Sequence, residues 1–125
     1  MGPAHSVPKI AVIDDDVAVQ RALANLLRSA GYRCALYGSA EEFLDECELP
    51  DCAIVDLHLP GSNGLDLQRR MNEKGQSIPI IIISAQDDRL RAKALEQGAV
   101  TFLAKPFERE TLLAVIRSVT SGTTT

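Results

Sequence analysis

Ile54-Val55-Asp56-Leu57-His58-Leu59-Pro60-Gly61 is the stretch that decides the fold, because it delivers a single carboxylate at the end of a short apolar run. The run spans residues 52–55, and the chain breaks after the carboxylate, at Pro60 and Gly61. A buried strand that ends in a polar group is typical of open α/β sheets, whose sites lie outside the carboxyl ends of the strands. The stretch therefore predicts a central strand with a functional group at its end.

Three other apolar runs end in polar side chains in the same way. They are residues 9–13 before Asp14-Asp15-Asp16, residues 80–83 before Ser84, and residues 100–104 before Lys105-Pro106. The second of these is four consecutive isoleucines, which is typical of a strand covered by helices on both faces. A fifth strand, with a weaker pattern, is predicted at residues 33–37.

Helical periodicity separates these strands at every step. The predicted helices cover residues 17–30, 40–48, 64–74, a segment from a cap at Asp87 or Asp88 to residue 97, and residues 108–119. Ser39 and Glu42 have the spacing of a capping box at the start of the second helix. The alternation implies a parallel sheet with right-handed crossovers. We therefore expect an α/β fold with a doubly wound five-stranded parallel sheet. For the strand order we suppose 2-1-3-4-5, the order of a flavodoxin-like three-layer sandwich.

Composition narrows the class of protein. The chain has 125 residues, of which 46% are hydrophobic and 24% charged, as in an ordinary one-domain globular protein. A net charge of -4 argues against nonspecific nucleic-acid binding, and no apolar run approaches the roughly 20 residues of a membrane span. Three cysteines without metal-ligand spacing fit a cytoplasmic location. We expect residues 1–8 to be a flexible leader, 9–120 the domain, and 121–125 a tail or the start of a linker.

In the expected strand order, the first and third strands are neighbours. Neighbouring strands lie about 4.8 Å apart, so Asp14, Asp15 and Asp56 should come close together. Such a cluster is costly unless a cation shares it, and carboxylates at a solvated edge suit a hard divalent ion such as Mg²⁺. Lys105 and Ser84 add an amine and a hydroxyl at the same edge. This combination favours phosphoryl transfer to Asp56, because the cation, the amine and the hydroxyl would stabilise charge on the phosphoryl oxygens.

The chain resembles the receiver domain of two-component response regulators over residues 9–119. The motifs that carry the resemblance are residues 12–16, 55–64, 83–85, 98–99 and 102–107. Residues 39–44 and 104–107 further resemble the FixJ-type subgroup, whose members usually carry a LuxR-type DNA-binding domain that this chain does not include.

The resemblance implies a role for each residue of the site. Asp56 would be the phosphoacceptor of a protein that assists its own phosphorylation and dephosphorylation without being a conventional enzyme. Mg²⁺, with Mn²⁺ as an alternative, would be held by Asp15, Asp56 and the backbone carbonyl of His58, and by Asp14 through a water. Ser84 would be the switch hydroxyl. The remaining implied roles are Lys105 as the phosphate-binding lysine, Phe102 as the switch aromatic, and Pro106 after a cis peptide bond.

The resemblance also implies partners and a switch. A sensor histidine kinase would donate the phosphoryl group. Ser84 would then move toward it and Phe102 would turn inward, which would change the surface of the fourth helix, fifth strand and fifth helix. That surface would pair with a second copy of the chain and control a transcriptional output. The candidate pairing residues are Arg91, Lys93, Glu96, Gln97, Glu108, Arg109 and Arg117. DNA would be contacted only through the output domain, and no membrane is involved.

Three other functions use related folds. A pseudo-receiver would be a constitutive protein-binding module with the same fold. A phosphatase of the haloacid-dehalogenase type would need a second Asp two residues after the nucleophile, where this chain has His58. A flavodoxin-like cofactor binder would need a phosphate-cradling loop after the first strand, where three acids would repel phosphate. A phosphorylation-controlled switch fits the residues best.

Overall fold

The computed structural model describes residues 7–46, 48–59, 63–75, 78–85, 89–96, 98–99 and 101–120. The strands of this part are β1 (Lys9–Ile13), β2 (Arg33–Tyr37), β3 (Cys52–Asp56), β4 (Ile80–Ala85) and β5 (Thr101–Lys105). The helices are α1 (Val17–Ser29), α2 (Ala40–Leu44), α3 (Gly64–Glu73), α4 (Arg91–Glu96) and α5 (Arg109–Thr120). Several predicted features lie outside the described residues: the leader up to residue 6, Cys47, the turn at residues 60–62, the cap at Asp87 or Asp88, Gln97, and the tail at 121–125.

The five strands form one parallel sheet in the order β2-β1-β3-β4-β5, so the predicted doubly wound fold is confirmed. Ile13 at the end of β1 is in register with Tyr37 on β2 and with Val55 on β3. Asp56 is in register with Ile83, and Ala85 with Lys105. The strands therefore end close to one line, and the polar residues that follow them share one edge.

Alternate side chains of the sheet enter two separate cores. Ile13, Val55 and Ile82 belong to the core beneath α2, α3 and α4, with Phe43, Leu67, Met71 and Ala94 of those helices. Ile10, Ile54 and Ile83 belong to the core beneath α1 and α5, with Leu23, Leu27, Leu112 and Ile116 of those helices. The apolar character of both faces of β4 follows from this arrangement, because helices cover the sheet on both sides.

The second helix is shorter than the sequence predicts. It ends at Leu44, whereas the prediction extended it to residue 48. The backbone N–H of Glu46 bonds to the carbonyl of Phe43, three residues back, which tightens the last turn. Asp45 and Glu46 are exposed, so nothing on this face favours another helical turn.

The predicted capping box of α2 forms only in part. The Ser39 hydroxyl accepts the backbone N–H of Glu42, as expected. The Glu42 carboxylate, however, accepts the N–H of Gly38 at 2.9 Å rather than that of the cap residue. The full capping box is on α3, where Asn63 and Asp66 bond to each other's backbone N–H groups.

Gly64, the first residue of α3, lies against the end of β3. A Cβ at this position would lie 3.1 Å from the Cα of Leu57 and 3.2 Å from the carbonyl oxygen of Asp56. Its own N–H donates to the Leu57 carbonyl at 2.9 Å. The absence of a side chain therefore lets α3 begin directly beside Asp56.

We expect Gly64→Ala to lower the free energy of unfolding by about 1 to 3 kcal/mol, because the added methyl group would meet backbone atoms that have little freedom to move. Urea denaturation followed by circular dichroism measures the change. Gly38→Ala is the matched control, since its Cβ would meet only the flexible carboxylate of Glu42 at 3.7 Å. Equal stability of the two variants would contradict the close packing at Gly64.

Candidate functional site

Three carboxylates meet where β1 and β3 end. Oxygen atoms of Asp14, Asp15 and Asp56 all lie within 4.8 Å of one another. The register explains the convergence, because Asp14 and Asp56 each follow directly after the paired residues Ile13 and Val55. Two charges at this separation repel by about 3 kcal/mol at an effective dielectric constant of about 20. The predicted convergence of acids is therefore present, and it is unfavourable by itself.

Ionisation of Asp14 is unfavourable, because its side chain is buried. Its side chain is 1% exposed, and burial raises the pKa of its carboxyl above the usual value; the charges of Asp56 and Asp15 raise it further. The N–H of Asp16 donates to Asp14 Oδ1 at 2.9 Å and lowers the pKa, as does the charge of Lys105, but these effects are smaller than burial. Among the described residues, Asp14 Oδ2 accepts no hydrogen bond.

Gln20 of α1 fixes the backbone beside Asp14. Its side-chain amide donates to the carbonyl of Asp14 at 2.6 Å and to the carbonyl of Tyr37 at 3.1 Å. The N–H of Asp14 bonds in turn to the Tyr37 carbonyl. The first acid is thus held between the ends of β1 and β2, and the sequence analysis did not identify Gln20 in this role.

Asp56 is held from two sides. Its Oδ1 accepts the backbone N–H of His58 at 3.0 Å, a local bond that aspartate makes readily to the residue two positions on. Its Oδ2 lies 4.0 Å from the Nζ of Lys105. The carboxylate is 14% exposed and therefore accessible from solvent, while its orientation is fixed by the backbone.

The structure places the remaining predicted site residues on β4 and β5 and directly after β3 and β5. Ser84 is buried and one position beyond Ile83, the residue in register with Asp56. His58 is exposed, and its backbone N–H donates to the Asp56 carboxylate. The Lys105–Pro106 peptide bond is cis. Phe102 is buried on β5.

The acids fit a hard divalent cation. Asp14, Asp15 and Asp56 offer carboxylate oxygens from a buried, an exposed and a partly buried side chain, so a cation here would keep contact with water. Mg²⁺ prefers this combination of a few carboxylates and several waters. The hydrogen-bond acceptor of Asp14 that has no partner among the described residues points to the same conclusion. A bound cation would also offset the repulsion between the acids.

A parallel sheet with an acidic cluster, a lysine and a buried hydroxyl at its carboxyl edge is the arrangement expected of a receiver domain. The model of the response regulator receiver domain family matches residues 10–117. The chain therefore belongs to this family, the receiver domains of two-component response regulators, which signal through phosphorylation.

Similar proteins and structures agree with this assignment. The chain is 44% identical over 112 residues to the response regulator protein TmoT of Ectopseudomonas mendocina, a region that is 87% of this chain and 51% of that protein. It is 41% identical over 114 residues to the transcriptional regulatory protein FixJ of Bradyrhizobium diazoefficiens, covering 87% of this chain and 55% of FixJ. The crystal structure of FixJ-N superposes with a TM-score of 0.86 at 28% identity, covering 93% of this chain and 95% of that structure.

The chain spans about half the length of the curated relatives that it matches. Those relatives are named as response regulators and transcriptional regulators. In the described part of the chain, no helix combines the length and apolar character needed to cross a membrane.

We expect Asp14→Asn to raise the free energy of unfolding by about 1 to 3 kcal/mol at neutral pH with a chelator present, because it removes a buried charge that is incompletely hydrogen-bonded. Thermal and urea denaturation measure the change. Asp15→Asn is the control: it removes the same charge from an exposed position and should gain less. A loss of stability in Asp14→Asn would contradict the unfavourable ionisation of this carboxyl.

Proposed function

We propose that the chain is a phosphorylation-controlled switch in which Asp56 accepts a phosphoryl group from a sensor histidine kinase in a Mg²⁺-dependent step. The observation that carries the proposal is the position of the Asp56 carboxylate, between the acids Asp14 and Asp15 and the amine of Lys105. A lone surface aspartate would have neither neighbour. Membership of the receiver family makes a histidine kinase the expected donor.

The reaction moves one phosphoryl group between two side chains. A carboxylate oxygen of Asp56 forms a bond to phosphorus as the bond between phosphorus and the donor imidazole nitrogen breaks, and the imidazole keeps the electron pair of that bond. The His58 N–H orients the carboxylate in the ground state, which reduces the entropy lost on reaching the in-line geometry. The product is an aspartyl phosphate.

The charges at the site match those that develop on the phosphoryl oxygens. Lys105 lies 4.0 Å from Asp56 Oδ2, so its ammonium group can bind an oxygen of the transferred group. Ser84 at the end of β4 is the proposed hydrogen-bond donor to a second oxygen. Mg²⁺, held by Asp14, Asp15, Asp56 and the His58 backbone carbonyl, would supply positive charge to the phosphoryl oxygens; Mn²⁺ is the proposed substitute. These roles make the protein a phosphoacceptor that promotes its own modification rather than an enzyme with a separate substrate.

We expect incubation with acetyl phosphate and Mg²⁺ to add one phosphoryl group to the protein, measured as intact mass. Asp56→Asn should abolish the gain because it removes the nucleophilic oxygen. A chelator should abolish it because the acids would then repel the incoming phosphate. Lys105→Met should slow it by about tenfold or more, since one charge-stabilising group is lost.

Asp45→Asn is the matched control for this experiment. Asp45 is an exposed aspartate that caps the end of α2, outside the acidic cluster, and its replacement should leave the mass gain unchanged. Failure of the parent protein to gain mass under any of these conditions would favour the pseudo-receiver, a constitutive protein-binding module.

We further propose that phosphorylation changes the surface formed by α4, β5 and α5 and promotes pairing of two copies through it. The surface carries exposed charges of both signs, which suits a self-complementary contact: Arg91, Lys93, Glu96, Glu108, Arg109 and Arg117. Leu95 of α4 is also exposed at 40%. In a longer protein like the relatives of about twice this length, the pairing would control a transcriptional output.

We expect beryllofluoride with Mg²⁺, a mimic of the phosphoryl group, to shift the sedimentation coefficient from monomer to dimer at high protein concentration. Leu95→Glu should prevent the shift because it places a charge in the apolar part of the surface. Leu49→Glu is the control, since Leu49 is exposed to the same extent in the segment before β3. An unchanged sedimentation coefficient in the parent protein would refute the dimer.

A further inference from the structure

Arg91 and Phe102 form a contact that the sequence pattern did not predict. Arg91 is the first residue of α4, and its guanidinium carbon lies 5.5 Å from the centroid of the Phe102 ring on β5. The arginine is exposed, whereas the ring is 5% exposed. This geometry is that of a cation–π interaction, in which the guanidinium covers the solvent side of the aromatic ring.

Phe102 is already part of the core beneath α4. It belongs to the same cluster as Ile82, its partner in register on β4, and Ala94 of α4. If the Phe102 ring turned inward only after phosphorylation, it would be exposed to solvent in the unphosphorylated protein. In this chain the Phe102 ring is buried without a phosphoryl group on Asp56.

The hydrogen bond between α3 and α4 is long. Gln68 of α3 is 2% exposed, and its side-chain amide donates to the Ala94 carbonyl at 3.5 Å, the upper limit for a hydrogen bond. Its Oε1 accepts no bond from the described residues. A six-residue helix with such a marginal polar contact depends on its remaining contacts for position, and Arg91 provides one of them.

We propose that Arg91 is a positioning residue of the switch: by covering the Phe102 ring it holds the ring in the buried state and joins α4 to β5, so that the two move as one unit. This inference rests on the proposed function for its signalling consequence, because the buried ring is the state that a phosphoryl group on Asp56 is proposed to favour. Arg91 therefore lowers the conformational cost of reaching the phosphorylated state.

The first experiment measures the solvent exposure of the Phe102 ring in the metal-free, unphosphorylated protein. The chain contains three phenylalanines, so incorporation of 4-fluorophenylalanine gives three fluorine resonances, and Phe102→Leu assigns the one of interest. A soluble gadolinium chelate broadens resonances of solvent-exposed rings. The buried ring of Phe43 is the internal reference.

We expect Arg91→Met to raise the exposed population of the Phe102 ring about two- to fivefold, the effect of losing one exposed cation–π contact. Arg91→Lys should retain most of the protection, because an ammonium group can also lie over the ring. Lys93→Met is the matched control, since it removes one positive charge from an exposed position on the same helix. Equal broadening in the parent protein and Arg91→Met, or equal effects of the two methionine variants, would overturn the proposal.

The second experiment measures whether burial of the Phe102 ring affects binding at the acidic site. At a protein concentration where the parent protein is monomeric, Arg91→Met should weaken the binding of beryllofluoride and Mg²⁺ by the factor by which the buried population of the ring falls, and Lys93→Met should not. A fall in the buried population without a matching loss of beryllofluoride affinity would overturn the coupling to the switch. Failure of the parent protein to bind beryllofluoride would instead refute the proposed function, while the ring measurement would still decide the role of Arg91.

Discussion

The repulsion between carboxylates at the end of β1 and β3 is the constraint on which the rest of the structure depends. Two of these charges within 4.8 Å oppose each other by about 3 kcal/mol, and the sheet must hold them together nonetheless. Each fully buried isoleucine contributes about 1.5 to 3 kcal/mol. Ile10, Ile13, Ile54, Ile81 and Ile82 are fully buried in the strands that carry or adjoin the acids. Packing of these strands, and not attraction between the acids, therefore holds the carboxylates at one edge.

The sequence predicted the features that follow from alternation and from strand ends. Five predicted strands with helical periodicity between them indicated a parallel sheet. The order supposed for that sheet is confirmed, and it brings Asp14 next to Asp56. The same strand order placed Lys105 near Asp56, because Lys105 ends β5 and only β4 lies between β5 and β3. These predictions succeeded because parallel strands end at the same edge of the sheet, so the residues at their ends lie near one another.

The features that the sequence did not predict depend on side chains that meet from separate elements. Gln20 reaches two backbone carbonyls from different strands, and nothing in its local pattern indicates this. The Arg91 contact with Phe102 depends on the rotation of a short helix about its axis, which a six-residue segment with one buried alanine does not determine. The capping box of α3 was missed for a different reason, since Asn63 and Asp66 perform it in place of the more usual hydroxyl and glutamate.

The two helices beside the site are anchored very differently. The amino end of α3 is capped and in backbone contact with the end of β3, whereas α4 has six residues and a long hydrogen bond of 3.5 Å to Gln68 of α3. A rearrangement that begins at the acids is therefore expected to displace α4 more than α3.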